Sequence, residues 1–321
     1  MRLARRQFLQ LAALAACPQL AFAQAYPSRP VRWVVPYPAG GTTDLIARLL
    51  AQWLTDRLGK PVVIENKPGG GTNIGVQAVV SAPPDGHTLL FTVATNAINP
   101  SLYKSLPFDF QRDIAPVAGL SELPLVLVVN PGVPAQTIAE FVAHAKANPG
   151  KINTASFGAR TIAHLALELL KTTAGIDLVH VPYPGGGPMM SDLIPGRIQA
   201  GIDALPNSLP HIKAGTVRAL AVLPAARTAA LPNVPTIGET IPGFEVSTWS
   251  GVGVPRGTPT EIIERLNREI NAGLKDPAIA ARFADVGAVP LLFTAAELAA
   301  KIARDVEKWA KVVELAGMKP E

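Results

Sequence analysis

Cysteine is the scarcest residue in this chain: Cys17 is the only one in 321 residues. One thiol excludes an intramolecular disulfide, and no Cys-x-x-Cys pair is present to bind zinc or an iron–sulfur cluster. The five histidines, His87, His144, His164, His180 and His211, fall in no His-Glu-x-x-His or comparable spacing, so a metal site has no support. No serine sits in a Gly-x-Ser-x-Gly elbow. Gly59-Lys60 and Gly150-Lys151 are followed by Pro61 and Ile152 rather than Ser or Thr, which excludes a P-loop. Gly69 to Gly75 misses the dinucleotide Gly-x-Gly-x-x-Gly spacing by one residue, and no cofactor is implied. Charge is thin as well, at 17% of residues, against 48% hydrophobic. That is the composition of a packed globular chain rather than a disordered one. The length fits two lobes or one large α/β unit.

The first two dozen residues form a separate object. Arg2, Arg5 and Arg6 make a basic start, Phe8 to Ala16 is apolar apart from Gln10, and Ala21-Phe22-Ala23 is a small-x-small cleavage site. Residues 1–23 therefore read as an export signal, which places the mature protein in the periplasm. Arg5-Arg6-Gln7-Phe8-Leu9 has the form of a twin-arginine signal, and general secretion suits the same start, so both routes stay open. The apolar run is broken by Pro18 and Gln19 and falls short of the ~20 residues a spanning helix needs. Leu14-Ala15-Ala16-Cys17 has the form of a lipoprotein box, which would tether the chain at Cys17; an untethered chain is the preferred reading. Removing the three arginines of residues 1–23 leaves 26 basic against 24 acidic residues, a net charge of +2. A charge that small argues against nucleic acid or an anionic membrane surface as partner.

Beyond the signal, short β-branched runs alternate with helical stretches. Val31 to Val35 predicts a strand, and Leu45, Ile46, Leu49, Leu50, Trp53, Leu54 and Leu58 recur at helical spacing before Gly59. Strands are expected at Val62–Ile64 and Leu89–Val93, with a helix near Ile74–Val80 between them. Leu125 to Val129 is strongly apolar and reads as a strand leaving the first half. The alternation restarts with helices near 138–146 and 162–172 and strands near 152–155, 178–181, 198–202 and 219–222. Such alternation predicts an α/β fold with largely parallel sheets. Residues 224–259, rich in Pro and Gly, read as a return crossing with surface loops. Two closing helices are expected at about 260–274 and 295–316. The stripe Leu298, Ile302, Val306, Trp309 and Val313 on the second is expected to pack on the first lobe.

Two loops are nearly identical and lie 146 residues apart: Val35-Pro36-Tyr37-Pro38-Ala39-Gly40-Gly41 and Val181-Pro182-Tyr183-Pro184-Gly185-Gly186-Gly187. Each follows a strand and leads to an Asp-Leu-Ile triplet, Asp44-Leu45-Ile46 and Asp192-Leu193-Ile194. A third, Pro68-Gly69-Gly70-Gly71-Thr72-Asn73, also joins a strand to a helix. Glycines let backbone approach a ligand, and the following helix offers unpaired N–H groups and the positive end of its dipole. One such loop reads as a tight turn; three, drawn from two halves, read as a carboxylate site at the carboxyl ends of strands. Ser156, His164 and Asp203 could be imagined as a hydrolytic triad, but no sharp nucleophile turn is signalled.

With these motifs in place the sequence resembles the Bug family of periplasmic solute receptors, which includes the receptors of tripartite tricarboxylate transporters. The resemblance covers nearly the whole mature chain: Pro36 to Asp44, Glu65 to Gly75, Pro100-Ser101-Leu102-Tyr103, Val181-Pro182-Tyr183, Leu209 to Gly215, Arg218 to Val222, Leu231 to Thr236 and Lys308 to Val313. It implies a two-lobed Venus-flytrap fold of type II-like form with two crossings. The lobes would be 24–124 with 245–321, and 125–244. It further implies a non-enzymatic receptor, read as a monomer, that captures a di- or tricarboxylate, acidic amino acid or aromatic acid by cleft closure and delivers it to membrane permease subunits. Alternatives are a sensor without its own permease and, less favoured, a secreted hydrolase. The candidate ligand residues are Tyr37, Ala39, Gly40, Gly41, Thr42 and Asp44; Gly71, Thr72, Asn73 and Asn96; Ser156, Gly158, Arg160, Thr161 and His164; and Tyr183, Gly185, Gly186, Asp203 and Ala204. The family loop reads Ser-x-Gly-x-Gly-Ser/Thr-x-x-His, and here Arg160 replaces its second glycine. Arg160 is expected to face the cleft and offer a fork to a second carboxylate.

Overall fold

The computed structural model describes residues 26–40 and 42–320. Residues 1–23, read above as an export signal with Cys17 among them, and Gly41 lie outside the described residues. In chain order the elements are β1 Val31–Val35, α1 Thr42–Leu58, β2 Val62–Asn66, α2 Asn73–Val80, β3 Thr88–Val93, α3 Ala94–Leu102, α4 Phe110–Asp113 and β4 Ile114–Val129. Then come α5 Ile138–Ala147, β5 Asn153–Ser156, α6 Ile162–Ala174, β6 Val179–Pro182, α7 Gly186–Leu193, β7 Ala200–Ala204, α8 Leu205–Lys213 and β8 Arg218–Val222. The chain closes with β9 Ser247–Pro255, α9 Thr260–Leu274, α10 Pro277–Asp285, β10 Val289–Pro290 and α11 Ala295–Leu315.

The strands form one continuous curled sheet in the order β2-β1-β3-β9-β4-β7-β5-β6, with β8 and β10 also paired to β4. β1 is parallel to β2 and β3, and β5 is parallel to β6 and β7, as α/β alternation requires. β9 enters antiparallel between β3 and β4. The 16-residue β4 joins the two halves. From Ile114 to Pro124 it pairs with β9, and from Leu125 to Val129 it pairs with β7 on one side and β8 on the other.

Helices cover the sheet because their apolar positions recur every three to four residues. In α1, Ile46, Leu50, Leu54 and Leu58 are buried on one face, and left-handed Gly59 (φ 72°) ends the helix. Trp53 of α1 donates its indole N–H to the Glu269 carbonyl of α9 at 2.9 Å. A Cβ at Gly273 would sit 2.9 Å from that indole, so the close approach requires glycine. Trp53→Phe should cost about 1 kcal/mol through the lost hydrogen bond, read as a lower urea midpoint at unchanged slope.

The stripe on α11 divides. Leu298 and Ile302, with Val306, pack with Val34, Val76 and Trp249 of the first half. Trp309, Val312 and Val313 pack with a cluster that includes Leu165 and Ala166 of α6. The expectation that the whole stripe would rest on the first lobe is corrected: 21 residues is about 30 Å of helix, long enough to lie across both halves.

Candidate functional site

The glycine-rich loops all leave the carboxyl ends of parallel strands, where open α/β sheets bind ligands. The loop after β1 is tied down by Asp44, which is 3% exposed. Its Oδ2 accepts from the Gly40 N–H and Arg48 Nε, both at 2.9 Å, and its Oδ1 accepts from Asn66 Nδ2 at 3.0 Å. The same Asn66 amide donates to the Tyr37 carbonyl at 3.0 Å. The Arg48 hydrogen bond, helped by Gly40 and Asn66, holds the Asp44 carboxyl down at about 2 against burial. Asp44 is therefore a loop anchor with its lone pairs already engaged. Burial pushes the Tyr37 hydroxyl above its ordinary value; it lies 3.5 Å from Thr95 Oγ1.

The loop after β2 holds four successive residues at positive φ: Gly69 (116°), Gly70 (56°), Gly71 (60°) and Thr72 (80°). Backbone of this kind gathers successive N–H groups into a concave nest that suits an anion. A Cβ at Gly71 would lie 2.5 Å from the Tyr103 hydroxyl, so only glycine fits there. Asn99 of α3 holds the loop: its Nδ2 donates to the Gly71 carbonyl and to Asn73 Oδ1, both at 2.7 Å. Asn96 Nδ2 donates to Thr72 Oγ1 at 2.9 Å, while Asn96 Oδ1 accepts from the Val93 N–H.

In the second half, the loop after β5 closes on itself. Ser156 Oγ and Thr161 Oγ1 both donate to the Gly158 carbonyl, at 2.9 and 2.8 Å. Thr161 caps α6. The Arg160 N–H donates to His164 Nδ1 at 2.9 Å, and His180 Nε2 lies 2.7 Å from Ser156 Oγ. The two imidazoles stack at 3.8 Å with 13° between planes. Burial pushes both rings down to about 4, with Lys171 and Arg160 adding to the effect on His164, and His164 to that on His180. The unfolded chain therefore binds more protons between about pH 6.5 and 4, so this pair removes stability as pH falls through that window. His180→Asn should flatten the loss of melting temperature between pH 7 and 5; an unchanged slope would contradict this.

A cavity of about 430 Å³ brings the two halves together. Pro36, Tyr37, Pro38, Pro68, Gly69, Gly71, Thr72, Thr95, Asn99, Leu102 and Tyr103 line one wall, and Ala159, Arg160 and Thr161 face them from the other. Of the residues expected from sequence, Tyr37, Gly71, Thr72, Arg160 and Thr161 meet here. Ala39 and Gly40 lie in the turn after Tyr37 and Thr42 and Asp44 in the first turn of α1, Asn73 and Asn96 brace the nest, and Ser156, Gly158 and His164 shape the opposite loop. Tyr183, Gly185, Gly186, Asp203 and Ala204 belong to an adjoining cluster. There Asp203, pushed up by burial, accepts from Asn207 Nδ2 (2.6 Å) and Ser208 Oγ (2.7 Å). A Cβ on Gly186 would come within 2.8 Å of Asp203 Oδ1, and the Tyr183 hydroxyl donates to Asp192. The imagined Ser156, His164 and Asp203 triad is not joined: Ser156 meets His180, and Asp203 is engaged with Asn207 and Ser208. Sequence reasoning passed over Thr95, Asn99 and Tyr103 as site residues; the Asn96-x-x-Asn99 spacing on one helix face was the signal that could have found Asn99.

Among the described residues no group of three or more His, Cys, Asp or Glu side chains could hold a metal ion, and no helix is long and apolar enough to cross a membrane. Against known proteins, residues 46–318 match the family described as "Tripartite tricarboxylate transporter family receptor". The chain belongs to this family. BugT of Bordetella pertussis (strain Tohama I) is 39% identical over 300 residues, 92% of each chain. An R. palustris protein solved with adipate is 34% identical with a TM-score of 0.79, over 92% of this chain and all of that one. MatC of Rhodopseudomonas palustris, solved with malate, is 32% identical with a TM-score of 0.74, over 90% of this chain and all of that one. The fold is accordingly that of the two-lobed periplasmic binding proteins.

Proposed function

We propose that this chain is an extracytoplasmic receptor that captures a small carboxylate in the cleft between its halves and presents it to membrane permease subunits. The observation that carries this reading is the cavity itself: the Gly69–Thr72 nest and the Tyr37 loop stand on one wall and the Arg160 loop on the other. Ligands seen in relatives, adipate and malate, support a carboxylate. The lobes we infer are 24–124 with 245–321, and 125–244, because β4 exchanges β9 for β7 and β8 at Pro124/Leu125. A ligand touching both walls favours the closed form by its differential affinity, and the permease reads that form. No bond is made or broken. The basic, apolar and small-x-small segments of residues 1–23 support export to the periplasm.

The test is a thermal-shift screen of the mature protein with di-, tri- and aromatic carboxylates, each beside its primary amide. A carboxylate at ~100 times its Kd should add about 2.7 kcal/mol. For a chain of this size that corresponds to a rise of roughly 5 °C or more. Shifts by carboxylates alone support the reading; shifts by the amides alone would overturn it.

A further inference from the structure

We infer that Arg160 makes the cleft select a ligand with two carboxylates, and that His164 is the residue that positions Arg160 for this. The inference rests on the carboxylate reading of the cleft and adds the number and placing of the charges.

Two observations converge on Arg160. The first is conformational. Among the described residues, only two other than glycine have positive φ, Thr72 at 80° and Arg160 at 60°. Both line the same cavity, from opposite walls. Left-handed backbone at a residue with a side chain costs energy and persists where the surroundings impose it, most often at functional sites. Thr72 lies in the nest. Arg160 stands across from it, in a loop where glycine would adopt the same backbone at no cost. A glycine would, however, bring no charge.

The second observation is chemical. Of the described residues lining the cavity, Arg160 alone carries a charge. The facing wall offers backbone N–H groups, small hydroxyls, an amide and tyrosine. Such a wall can hold one carboxylate without favouring a dianion over a monoanion. The guanidinium fork on the other wall matches a carboxylate in two parallel hydrogen bonds. A ligand spanning the cavity with a carboxylate at each end would use both walls, and only with the lobes closed. A monocarboxylate would use the nest and gain nothing from the guanidinium.

His164 fixes the geometry. Its Nδ1 accepts the Arg160 N–H at 2.9 Å, which holds residue 160 in the left-handed conformation. Its ring is clamped by the stack on His180 at 3.8 Å and by its place in the first turn of α6. The charged groups near the pair are Arg160 itself, Lys171 and Glu168. Burial and the two cations keep the ring neutral, so Nδ1 remains an acceptor down to about pH 5.

The test is calorimetric titration of the mature protein with matched acids: succinate and butyrate, glutarate and pentanoate, adipate and hexanoate. The wild type should bind at least one dicarboxylate tenfold or more tighter than its partner. Arg160→Gly, which keeps the backbone the loop already has, should weaken the dicarboxylate 10- to 100-fold and leave the monocarboxylate within about threefold. His164→Phe, which keeps a ring on His180 but offers no acceptor, should shift the ratio in the same direction. His164→Asn, whose amide oxygen sits where Nδ1 does, should restore it. If Arg160→Gly keeps the preference, or weakens both acids alike, the inference is wrong while the carboxylate reading stands. Binding of no member of any pair by the wild type would overturn this inference, and the carboxylate reading falls with it only if the thermal-shift screen also finds no acid.

Discussion

Asp44→Ala should unpin one wall of the cleft. The carboxylate joins three donors, the Gly40 N–H, Arg48 Nε and Asn66 Nδ2, at 2.9 to 3.0 Å. At 3% exposure there is little room for water to replace it. Removing the carboxylate takes away a buried acceptor that joins three donors at once, one of them a cation, and hydrogen bonds to charged groups are the stronger ones. The expected loss is about 2–4 kcal/mol, measured by urea unfolding, with carboxylate affinity falling tenfold or more as the Tyr37–Gly40 turn loosens. The effect has a defined pH dependence. The folded pKa of about 2 lies below the ordinary 3.8, so the stabilisation is fully present above about pH 5 and is lost as pH falls toward 2. Asp44→Asn keeps the shape but cannot titrate, so its stability should fall less steeply across that window than the wild type's. Equal slopes for the wild type and the Asn variant would contradict this account of Asp44.

Asn99→Leu should strike the other side of the same wall. Leucine keeps the branching of asparagine at Cγ, so the side chain follows the same path, though it is the bulkier of the two. What is lost is the amide that bridges the Gly71 carbonyl and Asn73 Oδ1, both at 2.7 Å. These contacts, with the Asn96 bond to Thr72 Oγ1, hold a loop of four positive φ angles in which Thr72 makes no side-chain cap to α2. The cost in stability should be about 2 kcal/mol. The larger effect is on binding, because the nest must be formed before it can gather its N–H groups on an anion: affinity should fall roughly 10- to 100-fold. Titration of the variant and wild type with one carboxylate checks it. Unchanged affinity would show that the nest is not where the carboxylate sits.

The first half of the fold was legible because its elements obey their own periodicities. β1, α1, β2, α2 and β3 all form where alternating or helical spacing predicted them. The two strands that join the halves were not legible at full length. β4 begins at Ile114, eleven residues before the apolar run that announced it, because Pro116, Gly119, Ser121, Glu122 and Pro124 interrupt the pattern. The register shifts near Pro116 and Gly119 absorb those residues. β9 hid in a stretch that looked like loop. Its Gly251 and Gly253 are there because a Cβ would meet the Ala118 carbonyl at 2.8 Å and Ile114 at 2.5 Å. α8 was concealed by Pro206 and Pro210, the first of which sits in the opening turn, where no backbone donor is needed.

The candidate site divides in the same way. Loops announced themselves through glycine strings, and the structure sets Tyr37, Gly71, Thr72, Arg160 and Thr161 around one cavity. Residues that act by holding a loop, Asn99 above all, leave no string to read. Asp44 and His164 were noticed for their chemistry, yet in the structure they fix backbone: one ties the Gly40 turn and the other holds Arg160. Distinguishing a contact residue from an anchor needs the three-dimensional partners, which spacing alone does not provide.

Capture by closure is most directly tested as a distance. A chain that begins after Ala23 holds no cysteine, so labels can be placed at will. Ser81→Cys at the end of α2 and Thr172→Cys on α6 put one exposed probe on each half. Electron–electron spin measurements on the doubly labelled mature protein would be made alone, with a carboxylate that stabilises it, and with the matching amide. The account predicts that the carboxylate narrows and shifts the distance distribution by several ångströms while the amide leaves it unchanged. A bound carboxylate that does not alter the distribution would contradict it.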